Sequence, residues 1–195
     1  MIEYEIKFIG NRINHSKFVD GLSYVGTKHQ NDTYYDTPNF TLFLNAVFLR
    51  CRNKKIIDIK YNFDQSDKTH LFCNENSFTL PLSEEAKNGL DIFLSQLIQP
   101  IQSSDDLLKN YQLEEFVAIN KSRDIYQGKD IEVSFDTIDN LGEFIEIEAR
   151  TEKGIDDINN LIHKEKIQRI QIGYVELYLK QHNYELYQKG KYQTE

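Results

Sequence analysis

Apolar and polar residues alternate with a period of two near residues 2–9, 46–53, 55–61, 115–123, 131–136 and 143–150. That alternation predicts β-strands whose two faces differ in character. Weaker strand candidates lie near Tyr34 and between residues 68 and 79. About eight strands are enough to close a small barrel. Helical spacing fills the gaps. Ser83 with Glu84 and Glu85 predicts a helix start, and Leu90, Phe93, Leu94, Leu97 and Ile98 follow until Pro100 stops the run. Ile155, Ile158, Leu161 and Ile162 form a second stripe, and Tyr174, Leu177, Tyr178 and Gln181 a third. Shorter helices are predicted near 17–22 and 105–109. Strands and helices do not alternate strictly, so the pattern favours a mostly antiparallel sheet with helices packed outside, an α+β class, over a doubly wound parallel sheet.

What occupies the polar positions of these strands changes the picture. Glu3, Glu5 and Lys7 alternate with Tyr4, Ile6 and Phe8, so charges project from one face and apolar groups from the other. Arg50 and Arg52 flank Cys51 in the same way. Asp58 and Lys60 alternate with Ile57 and Ile59, Glu132 and Asp136 with Val133 and Phe135, and Glu146 and Glu148 with Ile145 and Ile147. Lys121 and Arg123 keep the spacing around Ser122. Taken singly, each strand reads as half of an ordinary sheet with one face in water. Taken together, basic rows on some strands are matched by acidic rows on others. If the helical stripes cover the apolar faces, the charged faces must line the interior of a closed sheet, and a polar interior holds water or a ligand.

Composition bounds the ligand. At 195 residues with 39% hydrophobic content, the chain suits one domain spanning 1–195 and is short for two. The apolar stretches are interrupted by charge, and Met1, Ile2 and Glu3 carry no basic leader, so the expected location is the cytoplasm, with no membrane partner. Cys51 and Cys73 have no zinc-ligand spacing, and the five histidines show no metal motif. No phosphate-binding loop of the GxxxxGK[ST] or GxGxxG type occurs. A net charge of -8 argues against a nucleic-acid partner. It leaves room for a small phosphate ligand if the basic groups are gathered in one place. Arg forks and Lys ammonium groups suit linked phosphates, and paired carboxylates without His or Cys suit a hard divalent ion such as Mg2+ or Mn2+.

The same residues carry a resemblance. Glu3-Tyr4-Glu5-Ile6-Lys7 is similar to the ExExK signature that opens the CYTH superfamily, the triphosphate tunnel metalloenzymes, which include class IV adenylyl cyclases, thiamine triphosphatases and inorganic triphosphatases. In order along the chain, the turn Tyr34-Tyr35-Asp36-Thr37-Pro38 resembles YYDTP and the strand Leu49-Arg50-Cys51-Arg52 resembles LRxR. Ile59-Lys60 resembles the end of the next strand, and Lys121-Ser122-Arg123 resembles KxR. Val133 to Asp136 is similar to the family's metal-side strand, Leu141 to Glu148 to its LGxFxEIE segment, and Gly173 to Leu177 to its closing SYxxLL helix. The family often has a basic residue just before that helix, where Ile172 and Gly173 stand here.

The resemblance implies an eight-stranded antiparallel barrel forming a tunnel. It further implies that Glu3, Glu5, Asp136, Glu146 and Glu148 form the metal side, with Lys7, Arg50, Arg52, Lys60, Lys121 and Arg123 binding the substrate's phosphates. The expected activity is a metal-dependent phosphohydrolase acting on inorganic, nucleoside or thiamine triphosphate, with Lys7, Arg52 and Glu146 as catalytic residues. Two other readings remain open: a class IV adenylyl cyclase that makes cyclic AMP and pyrophosphate from ATP, and a non-catalytic binder of polyphosphate or nucleotide. The expected assembly is a monomer or homodimer.

Overall fold

The computed structural model describes residues 2–13, 16–61, 72–83 and 103–192. Eight strands form in it: β1 (Ile2–Ile9), β2 (Ser23–Asp36), β3 (Val47–Arg52), β4 (Ile56–Tyr61), β5 (Phe72–Thr79), β6 (Glu114–Gln127), β7 (Ile131–Ile138) and β8 (Gly142–Ala149). They are hydrogen-bonded in the order β1-β5-β4-β3-β2-β6-β7-β8, and every pairing is antiparallel. The expected class and strand direction hold. The expected closed barrel is met only in part: the sheet is strongly curled, and the seam that would close it is short. Strand β1 divides its length between two neighbours, giving Glu5–Ile9 to β8 and only Ile2–Tyr4 to β5. Beyond Asn74, β5 meets no strand on that side among the described residues.

Side chains sort by the pleat. The convex face is apolar and covered. Leu49, Cys51, Ile57 and Ile59 pack with Leu82, Leu113 and Leu108, the last from helix α2 (Ser104–Tyr111). Ile6, Phe8, Val133, Ile145 and Ile147 pack with Phe18 and with Ile158 of helix α3 (Glu152–Glu165). Ile57, Ile59, Val133, Ile145, Ile147 and Ile158 are fully buried, and each such side chain contributes about 1.5–3 kcal/mol. A third cluster closes one end of the concave face. There Phe48, Val117, Ile138 and Phe144 meet Tyr174, Val175 and Leu179 of helix α4 (Tyr174–His182). The short helices α1 (Thr41–Leu44) and α5 (Tyr184–Tyr187) complete that plug with Phe43, Leu186 and Tyr187. No helix among the described residues is long and apolar enough to cross a membrane.

Other departures from the expected elements have local causes. Around Tyr34, where a weak strand is predicted, β2 runs for 14 residues and pairs with the equally long β6. Its alternation is invisible because most of its outer side chains, such as His29 and Asn31, are exposed instead of packed. The helix expected over 17–22 is a single 3-10 turn, Ser16–Val19, ended by Gly21 with a φ of +80. The helical stripe from Leu90 to Ile98 lies outside the described residues.

Helix α3 is placed by its first turn. Thr151 caps it by accepting from the Gly154 N–H, and the Asp130 carboxylate accepts from the Thr151 hydroxyl at 2.8 Å. A methyl group on Gly154 would lie 2.1 Å from the Asp130 carbonyl oxygen and 3.3 Å from Ala149 Cα, so the helix can approach the sheet here only without a side chain. In an open helix, Gly→Ala stabilises by about 1 kcal/mol. Here Gly154→Ala will lower stability by about 1–3 kcal/mol, because backbone must move to admit the methyl group. Urea unfolding measures it, and a gain in stability would sink this account of the packing.

Candidate functional site

The concave face encloses a cavity of about 280 Å³. All six basic residues singled out in the sequence line it: Lys7 from β1, Arg50 and Arg52 from β3, Lys60 from β4, and Lys121 and Arg123 from β6. The pleat explains the convergence: Arg50 and Arg52, Lys121 and Arg123, Glu5 and Lys7, and Asp58 and Lys60 each lie two residues apart on one strand and therefore on the same side of the sheet. Glu5, Glu146 and Glu148 also line the cavity. Asp136 does not. It is 1% exposed and sits behind Arg123, outside the lining. The backbone of Glu3 pairs with Cys73, and its side chain lies outside the described residues. Cys51 packs on the convex side, away from the cavity.

Two ion-pair groups divide the lining. In the first, Arg123 grips Asp136 with Nε to Oδ1 at 2.7 Å and Nη2 to Oδ2 at 2.5 Å, and it also bonds Glu146. Lys7 pairs with Glu146 at 3.2 Å and Lys121 with Asp136 at 3.4 Å. Tyr174 joins this group from α4. Its hydroxyl donates to Asp136 Oδ2 at 3.0 Å, and its ring centre lies 4.0 Å from the Lys7 ammonium and 5.1 Å from that of Lys121. An aromatic face attracts cations, so one ring steadies two lysines.

In the second group, Arg52 donates to both oxygens of Asp32, Nε to Oδ1 at 2.7 Å and Nη2 to Oδ2 at 2.9 Å. Arg50 donates to Asp58 Oδ2 from Nε at 2.9 Å and Nη2 at 2.7 Å, and reaches Asp32 at 3.4 Å and Glu75 at 3.3 Å. Lys60 pairs with Glu5 at 3.2 Å.

The electrostatics follow from burial and these partners. Burial alone would raise the Glu146 carboxyl, but Arg123 and Lys7 outweigh it and hold Glu146 well below the usual carboxylate range. Asp32 is likewise pushed up by burial and pulled further down by Arg52 and Arg50, to a net lowering. For Lys7, burial is outweighed by Glu146 and Glu5, so its ammonium form is strengthened. Lys121 goes the other way. Burial, reinforced by neighbouring Arg123, lowers it to about 8 in spite of Glu146 and Asp136. Breaking a buried pair by removing one partner typically costs about 3–5 kcal/mol, so these side chains hold each other in place.

Asp32 and Tyr174 belong to the site although the sequence pattern singles out neither. Asp32 is hidden in the polar run of β2, and Tyr174 in an ordinary helical stripe. Asp36, within the YYDTP-like turn, is a structural residue: its carboxylate accepts from the backbone N–H groups of Thr37, Leu42 and Phe43 at 2.7, 2.9 and 2.8 Å, fixing α1.

The donor chemistry suits a hard divalent ion in kind and in register. Glu5 and Glu148 stand directly opposite each other on β1 and β8, and Glu146 follows two residues along on the same face. Like charges directly opposite destabilise a sheet unless a cation sits between or beside them. Among the described residues no three His, Cys, Asp or Glu side chains already converge tightly enough to grip an ion. Glu146 would have to turn partly from Lys7 and Arg123 to take part.

Comparison with known proteins agrees with the fold. The PH1819 protein of Pyrococcus horikoshii OT3 superposes with a TM-score of 0.65 at 18% identity, covering 92% of this chain and 99% of that one. A candidate adenylate cyclase from Vibrio parahaemolyticus gives a TM-score of 0.59 at 19% identity, over 91% of this chain and 98% of that one. HpAC1 from Hippeastrum, a candidate adenylyl cyclase with a dominant triphosphatase activity, gives 0.57 at 15% identity, over 93% and 95%. No curated protein matches the sequence. At these identities the structures speak for the fold alone. The family itself is shown by sequence, because the model of the CYTH domain matches residues 1–171 and so takes in all eight strands of the charged concave sheet: the chain belongs to the CYTH family.

Proposed function

We propose that this protein is a divalent-metal-dependent triphosphatase. The observation that carries the reading is the convergence of Lys7, Arg50, Arg52, Lys60, Lys121 and Arg123 on one cavity. Six cations on four strands suit an elongated polyanion better than a single phosphate. Enclosed ligand sites for drug-sized molecules run from about 300 to 1,000 Å³. At about 280 Å³ the cavity has room for a phosphate chain. Class membership supports the same substrate class, since the similar HpAC1 has a dominant triphosphatase activity.

In this reading Arg50, Arg52 and Lys60 hold one end of the phosphate chain, while Lys7, Lys121 and Arg123 face the other. Their fixed positive charges stabilise the charge that builds on phosphate oxygens as water attacks the terminal phosphorus and the bridging P–O bond breaks. Inorganic triphosphate and water then yield orthophosphate and pyrophosphate. Glu5, Glu146 and Glu148 would hold Mg2+ or Mn2+. Such an ion, when bound, supplies Lewis acidity toward the phosphate oxygens and neutralises their charge. Asp136 orients Arg123 and Lys121 from behind. A cytoplasmic site of action and a single domain over the whole chain fit this reading.

Incubation of the purified protein with Mg2+ or Mn2+ and, separately, inorganic triphosphate, ATP and thiamine triphosphate tests it. Orthophosphate with pyrophosphate or a diphosphate is expected, and cyclic AMP as the main product from ATP would overturn the hydrolase in favour of a cyclase. Arg52→Ala removes a charged donor from the phosphate side and should raise KM on the order of 10- to 100-fold. Glu146→Gln should leave KM for the anion less affected and lower turnover on the order of 100-fold or more. Wild-type kinetics in both variants would rule out the assignment of this cavity.

A further inference from the structure

Each of the six cations around the cavity already has a carboxylate partner. The proposed function uses Glu5 and Glu146 for a metal ion and Asp136 to orient its neighbours, but it gives no task to Asp32 or Asp58. These two are 2% and 3% exposed. They stand on the strands that flank β3, with Asp32 directly opposite Arg52 and Asp58 directly opposite Arg50. Register alone therefore brings each acid onto its arginine.

The contacts occupy the guanidinium edges that phosphate would use. On Arg52 the Nε and Nη2 fork is taken by the two oxygens of Asp32. On Arg50 all three nitrogens are engaged, Nε and Nη2 by Asp58 and Nη1 by Asp32. The far oxygen of Asp58 is itself held by the Ser77 hydroxyl at 2.5 Å. A carboxylate and a phosphate present the same pair of acceptor oxygens to such a fork. An incoming phosphate must displace Asp32 and Asp58 or make do with the N–H groups left over.

We infer that Asp32 and Asp58 are built-in competing anions that set the affinity of this cavity for phosphate chains. They hold the two guanidinium groups aligned while the cavity is empty and oppose retention of a phosphate on them afterwards. They are positioning residues, acting through Arg50 and Arg52. The consequence is a split: neutralising either acid tightens anion binding while slowing turnover, because the forks lose their alignment and product is held longer. A purely structural pair would weaken binding and turnover together.

The inference rests on reading the cavity as a triphosphate site, and the test separates the two. Isothermal titration of inorganic tripolyphosphate into wild type, Asp32→Asn, Asp58→Asn and Ser77→Ala is carried out in EDTA, so that no divalent ion bridges the carboxylates. The Asn variants should bind roughly tenfold more tightly than wild type, about the effect of one charge-assisted contact. Ser77→Ala, which keeps the acid and removes only its anchor, should shift affinity the same way by less. It also guards against an Asn variant that fails to fold, which thermal unfolding would reveal. Kinetics with Mg2+ should show lower KM and lower kcat in the variants. Wild type that binds while folded variants bind no tighter overturns the competing-anion role and leaves the proposed function standing. Failure of every form to bind tripolyphosphate in EDTA and to turn it over with Mg2+ overturns both. Binding detected only in the variants supports the inference.

Discussion

A sheet that turns its charged side inward is stable only if the charges balance one another where water is scarce. Lys7, Lys121, Asp32, Asp58, Asp136 and Glu146 are all 7% exposed or less. A single unpaired ion at such depth would carry a penalty of several kcal/mol. The strand order meets this demand, because acidic and basic rows are neighbours: Asp32 and Asp58 flank the arginines of β3, Asp136 stands opposite Arg123, and Glu146 stands opposite Lys7. Because side chains alternate with a period of two, a register slip of one residue would carry a whole charged row to the greasy convex face. Register, charge balance and helix packing thus enforce one another.

Much of this was legible in the residues because two strong periodicities coincide. Isoleucines on one face and ions on the other, as in Ile57 to Lys60 and Ile145 to Glu148, announce both the strand and its sidedness, and the two faces ended where that pattern implies. What stayed hidden had no such contrast. β2 carries polar residues on both faces through Asn31 and Asp32, so neither its length nor the acid that grips Arg52 could be seen. Closure is less legible for a different reason. Strand count fixes whether a barrel is feasible, whereas the extent of each seam depends on how one strand's residues are shared between two neighbours, as β1 shows. The side chain of Asp136 keeps the expected face yet lies behind the lining, because alternation specifies a side of the sheet and says nothing of depth along the side chain's path.

The cavity's two ion-pair groups have different mechanical characters. The Arg50, Arg52 and Lys60 group has its partners Asp32, Asp58, Glu75 and Glu5 on strands of the sheet. The Lys7, Lys121 and Arg123 group has an additional clamp in Tyr174, which belongs to a helix and not to the sheet. The position of that second wall depends on how the end plug is seated.

Tyr174 also belongs to the apolar cluster with Phe43, Leu179, Leu186 and Tyr187, and its ring meets Phe144 edge-on at 5.3 Å. The oily stopper and the polar chamber therefore share this phenol, along with Phe48 and Val175. Residues outside the cavity lining, among them the leucines of the final helices, thus bear on the spacing of two ammonium groups. Tyr174 lies beyond residue 171, so a change in the final helices can reach the polar chamber without altering one residue of the sheet.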